Sequence, residues 1–234
     1  MISKQEQLIN RGFLSDKICS KVYNFSFDRK IMLLKSVIAS ERTLGARLLK
    51  ENKTIITVNY LIEALKVEKK LYSKIEICNT LILLDKLSVL PLINCLGTIG
   101  NNQHRKVPEN NFLKDSYPLP RDIASRTLIR IGYNLMPDLL KGIKTADKRV
   151  LSELIDTIGH VNFKFKKESV FEALKTCYKN NNTDDLIKWK LIRACSGIEE
   201  SECFLIKLKV ELNNNRLKEE IERSLQLILK RKKK

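Results

Sequence analysis

Apolar residues recur at helical spacing along most of the chain, and five short segments superimpose: LIEAL at 61–65, LINCL at 92–96, LLKGI at 139–143, VFEAL at 170–174 and FLIKL at 204–208. Each ends on an apolar anchor (Leu65, Leu96, Ile143, Leu174, Leu208), with two more apolar residues three and four positions earlier. That spacing puts all three on one face of a helix. The anchors are 31, 47, 31 and 34 residues apart. The position before the anchor is small in four units (Ala64, Cys95, Gly142, Ala173), which lets a neighbouring helix approach closely; Lys207 breaks the pattern in the last.

A second amphipathic stretch precedes each anchor: ERTLGARLLKE, YSKIEICNTLILLDK, PRDIASRTLIRIG, RVLSELIDTIG and DLIKWKLIRACSG. Several close on glycine (Ile131-Gly132, Ile158-Gly159, Ser196-Gly197), the expected stop for a helix whose next residue turns left-handed. Short connections predict antiparallel pairs. One pair cannot cover both its apolar faces, whereas stacked pairs build a continuous core. The pattern divides the chain into N-terminal helices over 1–39, a repeat array over 40–215, and a C-terminal helix with a basic tail over 216–234. In that last helix Ile221, Leu225 and Ile228 share the apolar side. The fold class expected is all-α.

The residues of the array resemble a known family. Units whose first helix ends in an Ile-Gly step, as in TLIRIGYN and LIDTIGHV, and whose second reads as LLKGI or VFEAL, are similar to HEAT-like repeats of the phycobilisome-lyase type. The resemblance covers roughly residues 40–213. It implies a right-handed α-α superhelix of about five to seven helical hairpins plus a C-terminal capping helix, with the second helices lining a concave face. It also implies a group that contains scaffolds, bilin lyases and a branch of alkylpurine DNA glycosylases. The glycosylase branch uses tryptophans clustered around a catalytic Asp, whereas this chain has one tryptophan, Trp189, at core-like helical spacing from Ile192.

The 47-residue spacing marks an interruption. Its excess lies in GNNQHRKVPENNFLKDSYPLPRD, residues 100–122, which holds three of the chain's five prolines and cannot be one helix. Insertions between repeats form loops at one edge, often the binding edge. The candidate residues there are Asn101, Asn102, Gln103, His104, Arg105, Tyr117, Arg121 and Asp122, followed by Arg126 and Arg130 on one face of the next helix. Two readings stand side by side. In one, the loop folds back to make a pocket for an anionic or hydrogen-bonding ligand. In the other it is structural: Phe112 and Tyr117 pack down, Asp122 caps the next helix, and Arg126 and Arg130 pair with Asp122 or nearby carbonyls.

Charge adds a second candidate surface. The net charge is +17, of which +12 falls in residues 1–150; residues 151–229 are neutral and 230–234 are all basic. An abundance of Lys, Asn and Ile is also what an AT-rich genome produces. Lysine follows the anchor in four units (Lys66, Lys144, Lys175, Lys209), a row suited to phosphate or an acidic peptide. Lysine is equally favoured in the last turn of any helix, and Glu63 and Glu172 would dilute a basic stripe. The terminal lysines and arginine are expected as a disordered, solvated end able to add affinity for an anionic surface.

No run of apolar residues suits a signal peptide or a membrane span. The six cysteines are scattered, without a CxxC pair or zinc-ligand spacing, which suits a reduced cytoplasmic chain. No phosphate loop, nucleophile elbow or metal motif is present. The expectation is a non-catalytic scaffold, without cofactor or metal, holding a protein partner on the concave face and inserted loop. The alternative is a nucleic-acid binder using the basic surface, and a bilin lyase or other enzyme ranks third.

Overall fold

The computed structural model describes residues 4–15, 24–110, 114–165, 170–181 and 183–233, with only the backbone of Lys4 and Tyr133. Thirteen α-helices and no strand occur among them. Phe112 and Cys19 lie outside the described residues. The chain divides into two compact units, 1–92 and 93–234.

The first unit holds α1 (Lys4–Asn10), α2 (Phe27–Leu34), α3 (Ala39–Leu48), α4 (Ile55–Val67) and α5 (Leu71–Leu83), and α6 (Lys86–Asn94) runs across the division. Local chemistry sets the starts: Ser26 and Thr54 accept the backbone N–H three residues on, from Arg29 at 3.3 Å and Thr57 at 3.2 Å. Gly45 lets α3 lie on the backbone of α2, since a Cβ there would come 2.9 Å from the Leu33 carbonyl carbon. Leu34, Ala46, Leu61, Leu65, Ile77 and Leu81 form the core of this unit. Buried hydroxyls also cross it, with Thr43 donating to the Gly12 carbonyl and Ser73 to the Ala39 carbonyl.

The second unit holds α7 (Ile123–Ile131), α8 (Met136–Gly142), α9 (Lys148–Phe165), α10 (Val170–Asn180), α11 (Asp185–Ala194), α12 (Glu202–Glu211) and α13 (Asn215–Lys232). Helix α9 packs on α7 and α11, α11 packs also on α13, and α8, α10 and α12 each contact the helix that follows them in the chain. All five anchors are buried, Leu65 and Leu96 completely. Gly142 also behaves as the sequence predicts: a Cβ there would meet a Leu154 methyl at 3.2 Å.

Two expectations fail. Gly159 does not end a helix; α9 runs through it to Phe165. The glycine serves packing instead: the ring of Tyr117 lies on Gly159, and a Cβ would come 2.5 Å from its Cζ. The basic C-terminal segment is not a disordered tail as far as Lys233. Lys230, Arg231 and Lys232 complete α13, where cations offset the negative end of the helix dipole. Lys230 pairs with Asp115 at 2.6 Å, Lys232 with Glu202 at 2.6 Å, and Arg231 lies over the Phe163 ring.

Candidate functional site

The interruption begins and ends on one carboxylate. Asp122 is fully buried; its Oδ1 caps α7 by accepting from Ser125 N–H at 2.9 Å. Its Oδ2 accepts from Gly97 N–H at 3.1 Å and from Gln103 Nε2 at 2.8 Å. Gln103 donates also to the Ile99 carbonyl, so the first stretch of the loop is tied to the start of α7. Arg126 braces the same corner, donating from Nε to the Pro120 carbonyl at 2.6 Å. Gln103, Asp122 and Arg126 therefore shape the loop, and Gln103 and Asp122 are buried rather than presented to a partner.

The second stretch of the loop lies along α9. Tyr117 is buried on Gly159, edge-on to His160 at 5.9 Å and beside Phe163 at 6.0 Å between ring centres. His160 Nδ1 is 3.3 Å from the Pro118 carbonyl. Helix α13 holds the loop from outside, through Lys230 to Asp115 and through Arg223, which donates to the Ser116 carbonyl at 3.4 Å.

Beneath the loop sits a buried charge network that the sequence pattern hid. The Lys190 ammonium, fully buried on α11, reaches Glu153 Oε1 at 2.7 Å, Asp156 Oδ2 at 2.9 Å and the Ser152 carbonyl at 3.1 Å. Arg193, one turn further on, stacks its guanidinium 3.4 Å from the centre of the Trp189 ring and lies 4.0 Å from Asp156 Oδ1. Its other neighbour is Glu220 at 3.9 Å, itself paired with Arg223 at 2.7 Å. Charged pairs three residues apart on adjacent helices (Glu153 and Asp156, Lys190 and Arg193) were the available signal.

Loop and network line a half-open cavity of about 540 Å³, within the range of ligand pockets. Pro118, Leu119, Pro120 and Trp189 supply its apolar lining; His104, Tyr117, Asp156, His160 and Arg193 its polar lining; Lys114 and Arg121 are the exposed cations. Three buried polar atoms among these residues have no hydrogen-bond partner: the Tyr117 hydroxyl, Asp156 Oδ1 and Arg193 Nε. Native proteins leave few such atoms.

The electrostatics separate the groups. Burial pushes His104 down to about 4, helped by Arg121 and Arg193, and burial also lowers His160, so both rings are neutral at pH 7. Burial, and then the Asp156 charge, hold the Tyr117 phenol well above its usual range. Burial pushes Asp156 upward too, but Lys190 and Arg193 together outweigh it and the carboxyl lies below the usual range. Glu153 lies above its usual range because burial outweighs Lys190. Burial pushes the Cys177 and Cys195 thiols up to about 11 and about 12, which leaves neither as a nucleophile at neutral pH.

Of the predicted site residues, the structure brings His104, Tyr117 and Arg121 to the cavity. Arg105 borders a smaller one of about 200 Å³ with Gln103, His104, Lys148 and Arg149. Asn101 and Asn102 are exposed and line neither, and Arg130 is exposed near the end of α7. The four ladder lysines are not a row of free cations. Lys66 pairs with Glu63 at 2.7 Å, Lys175 with Glu172 at 3.3 Å and Lys209 with Glu222 at 3.1 Å, while Lys144 is exposed after α8. Asp156, His160 and Arg193 also line the cavity and were not singled out in the sequence, and Trp189, expected in the core, forms part of its wall.

No helix is long and apolar enough to cross a membrane among the described residues. No protein-family model matches the chain, and no curated protein matches it.

Proposed function

We propose that this chain is a non-catalytic binding scaffold of the HEAT-like kind, an α-α superhelix whose inserted loop and cavity hold a protein partner. One observation carries the reading: the loop closes over α9 and α11 yet leaves the Tyr117 hydroxyl and Asp156 Oδ1 buried without partners. A purely structural loop would satisfy or exclude such groups, because each orphaned one costs roughly 1–3 kcal/mol. Neutral imidazoles, high-lying thiols and carboxylates held by cations suit recognition better than acid–base or nucleophilic chemistry. A cytoplasmic setting fits free cysteines that are mostly buried.

The test is affinity capture from the native cell extract, with and without nuclease, comparing the wild type with Lys114→Glu/Arg121→Glu. Both side chains are exposed, so the fold should survive. A protein retained after nuclease treatment and lost with the double variant is the expected result. Retention unchanged in the variant removes the cavity as the site.

A nucleic-acid partner is the second reading. Arg105, Lys114 and Arg121 are exposed beside the two cavities and have no carboxylate partner among the described residues. Capture abolished by nuclease, with affinity falling steeply as salt is raised, would select it.

A further inference from the structure

We propose that the cavity takes a phosphate monoester, carried by the protein partner as a phosphorylated side chain, with Lys114 and Arg121 closing on its oxygens. This rests on the reading of the chain as a protein-binding scaffold and names what that partner places in the site.

The charges around the cavity are unequal. Lys114 and Arg121 line it, are exposed, and have no carboxylate partner among the described residues. Other cations near the loop are already taken, Lys106 by Glu109 at 2.8 Å and Lys230 by Asp115 at 2.6 Å. Arg193, the third cation of the lining, is nearly buried and meets Asp156 and Glu220 only at 4.0 and 3.9 Å, beyond hydrogen-bond reach. Asp156 is the one carboxylate in the lining among the described residues, and the Lys190 ammonium holds it at 2.9 Å. Behind it Glu153 pairs with the same Lys190 and Glu220 with Arg223. Five cations therefore stand against three carboxylates, an excess of two positive charges. Beyond burial, Arg121 and Arg193 both disfavour a proton on His104, so their fields meet at the same wall.

The size and placing of that excess narrow the ligand. A phosphate monoester brings about −1.5 to −2 charges at pH 7 and three strong acceptor oxygens, enough to engage several separate cations. A carboxylate brings a single charge and two oxygens. A phosphodiester carries a single charge per linkage and has no free end to enter a concave site. An ammonium or guanidinium would meet Lys114 and Arg121 on entry. The cavity, about 540 Å³ and open to solvent, admits a side chain end-on, and Pro118 and the exposed Leu119 offer apolar contact to the residues flanking it.

Trp189 is the chain's only tryptophan and forms part of the wall, so its indole 15N–1H resonance reports on this cavity. The full chain is titrated with N-acetyl-O-phosphoserine methylamide, with N-acetylglutamate methylamide, inorganic phosphate and a short oligothymidylate without terminal phosphates as the other arms. The phosphoserine probe should shift the indole signal saturably, and the glutamate probe should bind at least about tenfold more weakly. Lys114→Gln/Arg121→Gln should weaken the phosphoserine probe about tenfold. Lys144→Gln, at an exposed lysine that lines neither cavity, should leave it unchanged. Equal binding of the glutamate probe, an unchanged affinity in the rim variant, or no response to phosphoserine up to its solubility limit overturns the assignment. Inorganic phosphate held as tightly as phosphoserine overturns the side-chain source, and tighter binding of the oligothymidylate selects a nucleic acid instead. Partner capture that survives phosphatase treatment of the extract yet is lost with Lys114→Glu/Arg121→Glu refutes the phosphate while leaving the scaffold reading intact, whereas capture insensitive to that variant refutes the latter.

Discussion

Glu68 in the first unit and Asp156 in the second are both buried carboxylates facing arginine or lysine, yet they are finished differently. Glu68 is fully occupied: Oε2 accepts from Arg42 Nε at 2.7 Å, and Oε1 from Arg42 Nη2 at 2.9 Å and from the Lys69 and Lys70 N–H groups at 2.9 and 2.8 Å. Burial pushes it up, but these donors outweigh burial and hold it below the usual range. Asp156 has the Lys190 ammonium on one oxygen and no hydrogen bond on the other. A saturated carboxylate is a rivet joining helices. Asp156 is finished on one oxygen only, so the two carboxylates differ in how far their hydrogen-bonding capacity is used.

The contrast is tested most severely by removing the cations. Lys190→Met leaves Glu153 and Asp156 without their shared ammonium in a place water does not reach, and should cost about 3–5 kcal/mol in urea unfolding. Arg42→Met should cost less, because the Arg42 side chain is 19% exposed and Glu68 keeps its two backbone donors. Equal losses would show that the two sites do not differ as described.

Next in size is the carboxylate that closes the loop. Asp122→Ala removes a helix cap and both tethers of the first loop stretch, with an expected loss of about 2–4 kcal/mol. The Trp189 indole signal should move as well, since the cavity wall that faces it is the loop. Loss of stability without any change at Trp189 would separate the loop from the cavity.

Gly159→Ala sharpens the comparison further. Helix propensity alone would favour alanine by up to about 1 kcal/mol. The overlap with Tyr117 reverses the sign, for an expected net loss of about 1–2 kcal/mol by denaturation. Double substitution with Tyr117→Ala should recover part of that loss. Additive effects would mean that the two residues are not in contact.

These residues also mark where sequence reading stops. The helices and their buried anchors were legible because a 3.6-residue period survives wherever one face is covered. The capping role of Asp122 was legible from Pro120 before it, and the bracing role of Arg126 followed from proximity to carbonyls. The network under the loop was not. Every residue from Leu151 to Gly159 is buried, so the polar side of this amphipathic stretch faces protein rather than solvent, and in the sequence Glu153 and Asp156 read as ordinary polar positions. Gly159 looks like a stop because a glycine that ends a helix and a glycine that admits a tyrosine are identical in sequence. The basic end of α13 is held by Asp115, Glu199 and Glu202, none of which is near it along the chain.

The smallest effect expected is a pH dependence confined to one unit. Both histidines, His104 and His160, belong to the second unit, and both are held below the ordinary imidazole value, first of all by burial. A histidine depressed on folding takes up its proton more readily when unfolded. Its stabilising contribution is therefore complete above about pH 6.5 and is lost as the pH falls toward the folded value, about 4 for His104. After allowance for the partial exposure of the ring, His104 should account for roughly 1–2 kcal/mol between pH 7 and pH 4, and His104→Gln should flatten that slope. Glu68 and its arginine lose their contribution only below the ordinary carboxylate range, so the first unit should be indifferent over pH 7 to 5. Hydrogen exchange read separately over 24–92 and 114–233 distinguishes the two. Weakening of both units together in that window would show that the imidazoles under the loop are not what responds.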